Sequence, residues 1–300
     1  MAHTLVVFSS DESYFPLARG LVLSLKQCDL DVQGIGIGFL DNGCAESSLE
    51  WMRAQGVVVR RLDPASLGNL AGVAGYHRSQ ICRPFLPRLF PDVEAFVWLD
   101  TDLWVQDPAI VGQLSGWARS APQKLFIAPE WHYSYLKLNM DFDRFQLSTF
   151  GFYYRATYGA DATPAMVSRP MLNTGVFAMA AANPLWHTWQ HEVETLYSRE
   201  YPDRPELVRH MAKQIALNKL AYQAGCVIPI DPIYNYMCTW APPYRDTAGV
   251  VRVTLPPYSV LGIVHLSNWR HYRKLYGQLG LLFDQGRYLT PAERAELIPQ

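Results

Sequence analysis

The chain has 300 residues, 49% hydrophobic and 18% charged, with 26 Lys and Arg against 27 Asp and Glu. A charged share below the usual ~25% excludes a disordered chain, and a net charge of −1 leaves no overall basic field for gripping nucleic-acid phosphates. A chain of this length buries roughly 75% of its unfolded surface, so it needs neither disulfides nor a structural metal to fold. The five cysteines, Cys28, Cys44, Cys82, Cys226 and Cys238, show no C-x-x-C spacing. Free thiols in a reducing compartment are the simplest reading, and a cytoplasmic location is expected. The first residues lack a basic n-region and a long apolar core, and no run of 18 apolar residues occurs. Aromatics reach 13%, with 17 Tyr and 9 Trp.

Strands and helices alternate from the start. Leu5–Phe8 is a short apolar run that ends in Ser9-Ser10-Asp11. Tyr14–Gln27 carries Leu17, Leu21 and Leu25 at helical spacing, with Pro16 suited to a first turn. Ile35, Ile37 and Phe39 alternate with glycines as a second strand. Ala45–Gln55 is a helix candidate, Val57–Arg61 a third strand, and Ala95–Leu99 a buried strand. Arg78–Phe90 has helical spacing interrupted by Pro84 and Pro87. This alternation predicts an α/β fold, a mostly parallel central sheet flanked by helices. From about 129 to 170 the chain is rich in Trp, Tyr and Phe without a clean period. Regular patterns return with a strand at Leu172–Met179, helices at Pro184–Tyr197 and Glu206–Tyr222, and strands at Val227–Ile230 and Gly262–Leu266. There is no repeat or linker, so residues 1–300 read as one domain with an aromatic-rich insert at about 129–170.

The sharpest motif is Phe96-Val97-Trp98-Leu99-Asp100-Thr101-Asp102. An apolar strand runs straight into two carboxylates. Ligands of open α/β sheets bind outside the carboxyl ends of strands, and two acids there can hold a divalent cation that neutralises phosphates. An ordinary strand end with exposed acids is the plain alternative. His265 lies inside the apolar strand 262–266; such a histidine is commonly a satisfied core residue, but beside the two acids it is a candidate third ligand. Asn173-Thr174-Gly175 reads either as a turn or as an amide placed at a substrate hydroxyl. Gln214 and Asn218 share a helix face, either solvated or functional.

In order, these features resemble glycosyltransferase family 8, the retaining GT-A enzymes that include glycogenin and bacterial lipopolysaccharide galactosyltransferases. The resemblance covers most of the chain. It implies a GT-A nucleotide-diphospho-sugar transferase fold and transfer of a sugar from a UDP-sugar to a hydroxyl acceptor. Leu5-Val6-Val7-Phe8-Ser9-Ser10-Asp11 and Tyr14 are similar to the nucleotide-binding first strand and loop, and Ser24-Leu25 to a pair in the first helix. Arg78 lies where a basic donor contact is expected. Asp100 and Asp102 match the D-x-D motif, with Thr101 between them at the donor, and His265 the late metal-binding His. Together they imply Mn2+ or Mg2+ as cofactor. Asn173-Thr174-Gly175 resembles the Asn-Ser/Ala-Gly strand, whose Asn meets a sugar. Gln214 and Asn218 resemble the Asp-Gln-x-x-x-Asn helix, and Ile228-Pro229 to Tyr234-Asn235 the Leu-Pro…Tyr-Asn segment. This places Gln214 under the anomeric carbon and Asn218 among the donor contacts.

Two departures stand out. Lys213 occupies the position of the family's Asp, and His265-Leu266-Ser267-Asn268-Trp269-Arg270 lacks Lys-Pro-Trp, leaving Arg270 or Lys274 to supply the diphosphate-binding charge. Trp131, Tyr133 and Tyr153 of the insert are the expected acceptor contacts, since aromatic faces stack on sugars. The acceptor would be a glycan, a lipid-linked saccharide or a protein. The basic aromatic stretch 269–276 is either a packed helix or a peripheral contact with the inner membrane face. A sugar nucleotidyltransferase would need a Gly-rich basic loop after the first strand, and a carbohydrate-binding module would not need the ordered acidic motifs. Donor sugar, acceptor and oligomeric state stay open.

Overall fold

The computed structural model describes residues 3–73, 75–141 and 143–279. Its centre is a sheet of seven strands: β1 (Thr4–Ser10), β2 (Ile35–Asp41), β3 (Val58–Arg61), β4 (Ala95–Leu99), β6 (Leu125–Pro129), β7 (Leu172–Ala180) and β8 (Val227–Pro229). They lie in the order β3-β2-β1-β4-β7-β6-β8. All neighbouring pairs are parallel except those of β7, which runs antiparallel to β4 and β6. A three-stranded sheet joins β5 (Leu103–Val105), β12 (Ile263–His265) and β9 (Tyr236–Met237). The hairpin of β10 (Tyr244–Arg245) and β11 (Val251–Arg252) stands apart.

The central strands are continuous apolar runs because helices cover both faces. Side chains alternate. Leu5, Val7, Phe96 and Trp98 face a core built with helices Leu185–Tyr197 and Pro205–Ala224 and the segment around Phe85. Val6, Phe8, Val97 and Leu99 face the other core, with helices Phe15–Leu25, Glu46–Ala54 and Ala109–Ser120. Each fully buried Phe or Leu contributes roughly 1.5–3 kcal/mol. The Pro205–Ala224 helix starts on a proline, whose missing N–H costs nothing in the first turn. It stops at Gly225, which takes the left-handed φ of 60°.

Most expected elements are present with ends within two residues. The Arg78–Phe90 stretch is instead three pieces: the Gly75–Ile81 helix, a tight turn at Arg83–Phe85 and the short helix Leu86–Leu89. Pro84 and Pro87, lacking N–H groups, break the continuity. The aromatic segment forms short helices at Leu136–Asn139, Gly151–Tyr158 and Thr163–Val167. Its Tyr135, Phe150, Tyr153 and Tyr154 join Tyr236, Leu266, Trp269 and Tyr276 in a third core. With Trp269 and Tyr276 buried, the outer side of helix Trp269–Gln278 presents His271, Arg273 and Lys274. Among the described residues no helix is long and apolar enough to cross a membrane. Residues 280–300, included in the expected single domain, lie outside the described residues.

Candidate active site

The chain passes from β1 to β2 on one side and returns to β4 on the other side of β1. That reversal opens a crevice at the carboxyl ends of β1 and β4, the usual ligand position in such sheets. At the end of β1, Asp11 Oδ1 accepts from the Tyr14 backbone N–H (3.2 Å) and from Ser13 Oγ (2.6 Å), which shapes the following loop. Ser9 Oγ donates to the Leu40 carbonyl (2.9 Å) and Ser10 Oγ to the Asp11 carbonyl (2.8 Å). The period of two continues past β4, so Asp100 shares the face of Phe96 and Trp98. Thr101 points the other way, and its Oγ1 donates to the Ser9 carbonyl (2.6 Å), joining the two strand ends.

Asp100 is held on that face. Its Oδ1 accepts from Trp98 Nε1 (2.7 Å) and from Arg83, whose guanidinium lies 4.9 Å over the Trp98 ring. Burial alone would raise its pKa; the Arg83 charge, with help from His265, brings the carboxyl below its ordinary value. β12 pairs antiparallel with β5 and sets His265 opposite Leu103, just beyond Asp102. His265 Nε2 is 3.4 Å from Asp102 Oδ1. Its Nδ1 lies 2.7 Å from Asn235 Oδ1, while the Asn235 amide donates to Asn173 Oδ1 (2.9 Å). The imidazole therefore commits Nδ1–H to Asn235 and turns Nε2 to the acids. Burial lowers the His265 pKa, but Asp102, by charge and hydrogen bond, together with the Asp100 and Glu130 charges turns the net shift upward. Ligand atoms of Asp100, Asp102 and His265 all lie within 4.8 Å of one another. Gly175 allows this approach, because a Cβ there would sit 2.7 Å from His265 Cε1.

Asn173 is beside this cluster because β7 is antiparallel, so its first residues meet the last residues of β4. The Asp100 N–H donates to the Gly175 carbonyl (2.8 Å). A buried carboxylate, Glu130, joins the amides: its Oε1 accepts from Asn173 Nδ2 and Gln214 Nε2, each at 2.8 Å. Burial pushes the Glu130 carboxyl up, and those hydrogen bonds offset only part of the rise. Gln214 Oε1 accepts only two long bonds, both from Thr174, its Oγ1 (3.3 Å) and its N–H (3.4 Å). Next to it, Lys213 Nζ donates to Gln80 Oε1 (3.1 Å) and the His210 carbonyl (2.6 Å). Burial and then the Arg83 charge lower Lys213 to about 7. The Lys213 charge, followed by burial, lowers His210 to about 3.

These groups surround one pocket of about 760 Å3. Of the residues expected from sequence, Ser10, Asp11, Tyr14, Asp100, Thr101, Asp102, Tyr153, Asn173, Gln214, His265 and Arg270 line it. Arg270 Nη2 donates to Ser13 Oγ (2.8 Å) and its guanidinium lies 4.8 Å over the Tyr14 ring. The others lie elsewhere. The Ser9 hydroxyl is spent on Leu40. Arg78 donates from Nε to the Val73 carbonyl (3.0 Å). Asn218 is wholly buried, its amide pairing with the N–H and carbonyl of Leu172 (2.7 and 2.9 Å). Trp131 is 59% exposed, and the Tyr133 hydroxyl donates to the Leu255 carbonyl (3.2 Å). Arg83, Glu130, His210 and Trp240 also line the pocket and were not expected from sequence. Glu130 had a signal: it follows the apolar run of β6 as Asp100 follows β4.

No protein-family model matches the chain, and no curated protein sequence does. Solved structures do. The galactosyltransferase LgtC, in complex with donor and acceptor sugar analogues, is 15% identical and superposes with a TM-score of 0.59. The match covers 97% of this chain and 99% of that one. An active-site mutant of LgtC gives 16% and 0.60 over the same shares. The bifunctional glycosyltransferase WbbM, in its apo form, is 16% identical with a TM-score of 0.55 over 78% of this chain. The match spans 39% of the length of WbbM. The fold is that of the GT-A nucleotide-sugar transferases.

Proposed function

We propose that this chain is a family-8-like, divalent-metal-dependent glycosyltransferase that moves a sugar from a UDP-sugar to a hydroxyl acceptor with retained configuration. The observation that carries the reading is the convergence of Asp100, Asp102 and His265 at the switch point, opening on a pocket lined by Gln214 and Asn173. Two carboxylates and an imidazole suit Mn2+ or Mg2+. The residues fit such an ion: Arg83 and Trp98 occupy Asp100 Oδ1 and leave Oδ2 available, and Asn235 fixes the imidazole so that Nε2 faces Asp102. When bound, the cation offsets the diphosphate charge that builds as the sugar leaves.

The remaining roles fall to the chain. Asp11, Tyr14 and Arg270 form the nucleotide end, with Arg270 adding a cation beside the diphosphate. Asn173, its amide held by Glu130, Asn235 and the Gly175 N–H, lines the sugar end of the pocket and keeps Asn235 and His265 in place. Gln214, anchored by Glu130 through its amide nitrogen, keeps its loosely bound oxygen for the anomeric centre. An amide is a poor nucleophile, so the acceptor hydroxyl attacks from the face the diphosphate leaves. Tyr153 lies at the acceptor side, with Trp131 and Tyr133 on the outer rim of the same segment. A glycan, a protein or a lipid-linked saccharide would fit there, the last meeting the basic face of helix Trp269–Gln278. All five thiols are free, which suits a reducing, cytoplasmic setting.

Calorimetry with UDP in the presence and absence of Mn2+ tests the reading, followed by a hydrolysis screen of UDP-sugars. Mn2+ should strengthen UDP binding, and Asp102→Ala should abolish that increment. UDP binding indifferent to Mn2+ in the native chain would sink the assignment.

A further inference from the structure

One buried cation in the pocket has no anion of its own. Lys213 is 5% exposed and lines the pocket. Its ammonium donates to two neutral oxygens, Gln80 Oε1 and the His210 carbonyl, and no carboxylate among the described residues pairs with it. Arg83 converges on the same residue, donating from Nη1 to the Gln80 carbonyl (3.3 Å), but Arg83 has Asp100 as its partner. Asp100 is thus taken by Arg83, and the other buried carboxylate whose charge reaches Lys213, Glu130, is hydrogen-bonded to Asn173 and Gln214 instead. A buried charge is stable only when it is paired and hydrogen-bonded. The ammonium is a donor only, so a ligand group that completes it is an acceptor, best an anionic one, and reaches it through the pocket.

The diphosphate is not the natural partner. It meets the cation site and Arg270 at the ends of β1 and β4. Lys213 is on helix Pro205–Ala224, next to Gln214, and is tied to the Gly75–Ile81 helix. With Gln214 set at the anomeric centre in the reading above, the neighbouring Lys213 falls on the sugar side of the pocket.

Resting on the UDP-sugar reading above, we propose that Lys213 recognises a carboxylate on the donor sugar, so that the pocket selects a UDP-hexuronate over the corresponding neutral UDP-hexose. Gln80 holds the ammonium in place, and Arg83 adds attraction from the same wall.

The test is calorimetry on the full chain with MnCl2, using UDP, UDP-glucose, UDP-galactose, UDP-glucuronate and UDP-galacturonate. One uronate should bind at least about tenfold tighter than its neutral counterpart, in line with one charge-assisted contact. Lys213→Met, similar in length but uncharged, should erase that ratio and leave the affinity for UDP itself within about twofold. Neutral hexose binding as tight as the uronate in the native chain would overturn the proposal, whatever the variant does. A Lys213→Met loss of UDP affinity would overturn it too, by assigning Lys213 to the diphosphate. Absence of Mn2+-dependent UDP binding would instead remove the UDP-sugar reading, and this proposal with it. Normal UDP binding without a uronate preference leaves that reading intact and rejects only this step.

Discussion

Gly175→Ala probes His265 together with its supporting Asn173. Gly175 lies inside β7 without a left-handed φ, so its backbone accepts an L-residue. What it cannot accept is volume. An added Cβ would stand 2.7 Å from His265 Cε1 and 2.8 Å from Asn173 Oδ1. Neither neighbour is the loose end of a flexible chain: His265 is pinned by Asn235 and Asp102, and Asn173 by Glu130 and Asn235. Carbon contacts settle near 3.5 Å or beyond, so the imidazole must recede by about 0.8 Å. Such overpacking costs about 1–3 kcal/mol, or roughly 2–4 °C in Tm for each kcal/mol in a chain of this class. The larger consequence is at the cation site. Moving one ligand and its supporting amide together should weaken Mn2+ binding about 10–100-fold, the range seen when outer partners of metal ligands are lost. Mn2+ titration by paramagnetic resonance of the free ion reads this without turnover, and thermal unfolding reads the packing cost separately. Mn2+ affinity equal to that of the native chain would refute both the crowding and the assignment of His265 as a ligand.

Two further outcomes follow from the same network. Asn218→Ala should cost about 2–4 kcal/mol, because it leaves the buried N–H and carbonyl of Leu172 unpaired, while Mn2+-dependent UDP binding stays unchanged; a urea midpoint and a UDP titration check the two halves. Glu130→Gln addresses pH: burial raises the Glu130 carboxyl in the fold, so the unfolded chain loses that proton first, and native stability falls as pH rises from the ordinary carboxyl value through the raised one. The glutamine keeps an oxygen for Asn173 and Gln214 but cannot ionise, so urea midpoints of the variant should gain on the native chain across that window, and parallel curves would contradict the burial effect.

The sheet was legible because its middle strands have little freedom. A strand covered on both faces is apolar along its covered length, and 5–8, 95–99 and 176–179 could be little else. The Ala109–Ser120 helix escaped notice although Ile110, Leu114 and Ala118 mark one face at a spacing of four. Gly112 and Gly116 lower its intrinsic helix preference, and packing on the sheet overrides that weakness. Around Arg78–Phe90 the apolar pattern was visible, but the prolines divided it and moved the working cation. Arg83, not Arg78, reaches Asp100, because the turn after Ile81 carries it over Trp98.

In the site, local pattern located the ends of the network and not its links. Asp100 and Asp102 stand out because they terminate an apolar strand, and His265 because it is a polar residue within one. Asn218 shows what helical spacing alone does not fix. It shares a face with Gln214, as the spacing of four requires, yet that face turns inward along β7, and the last turn of shared direction ends on the Leu172 backbone rather than in the pocket. Glu130 shows the converse. Alone it is an acid after a strand, and its meaning comes from Asn173 and Gln214, which lie 43 and 84 residues away along the chain. Because both amides give their nitrogens to this one carboxylate, their oxygens are fixed in direction, Asn173 toward Asn235 and thus His265, Gln214 toward Thr174. Glu130, Asn173, Asn235 and His265 are therefore one hydrogen-bonded chain that Gln214 joins at Glu130, and a change at Glu130 should be felt at His265 through Asn173 and Asn235.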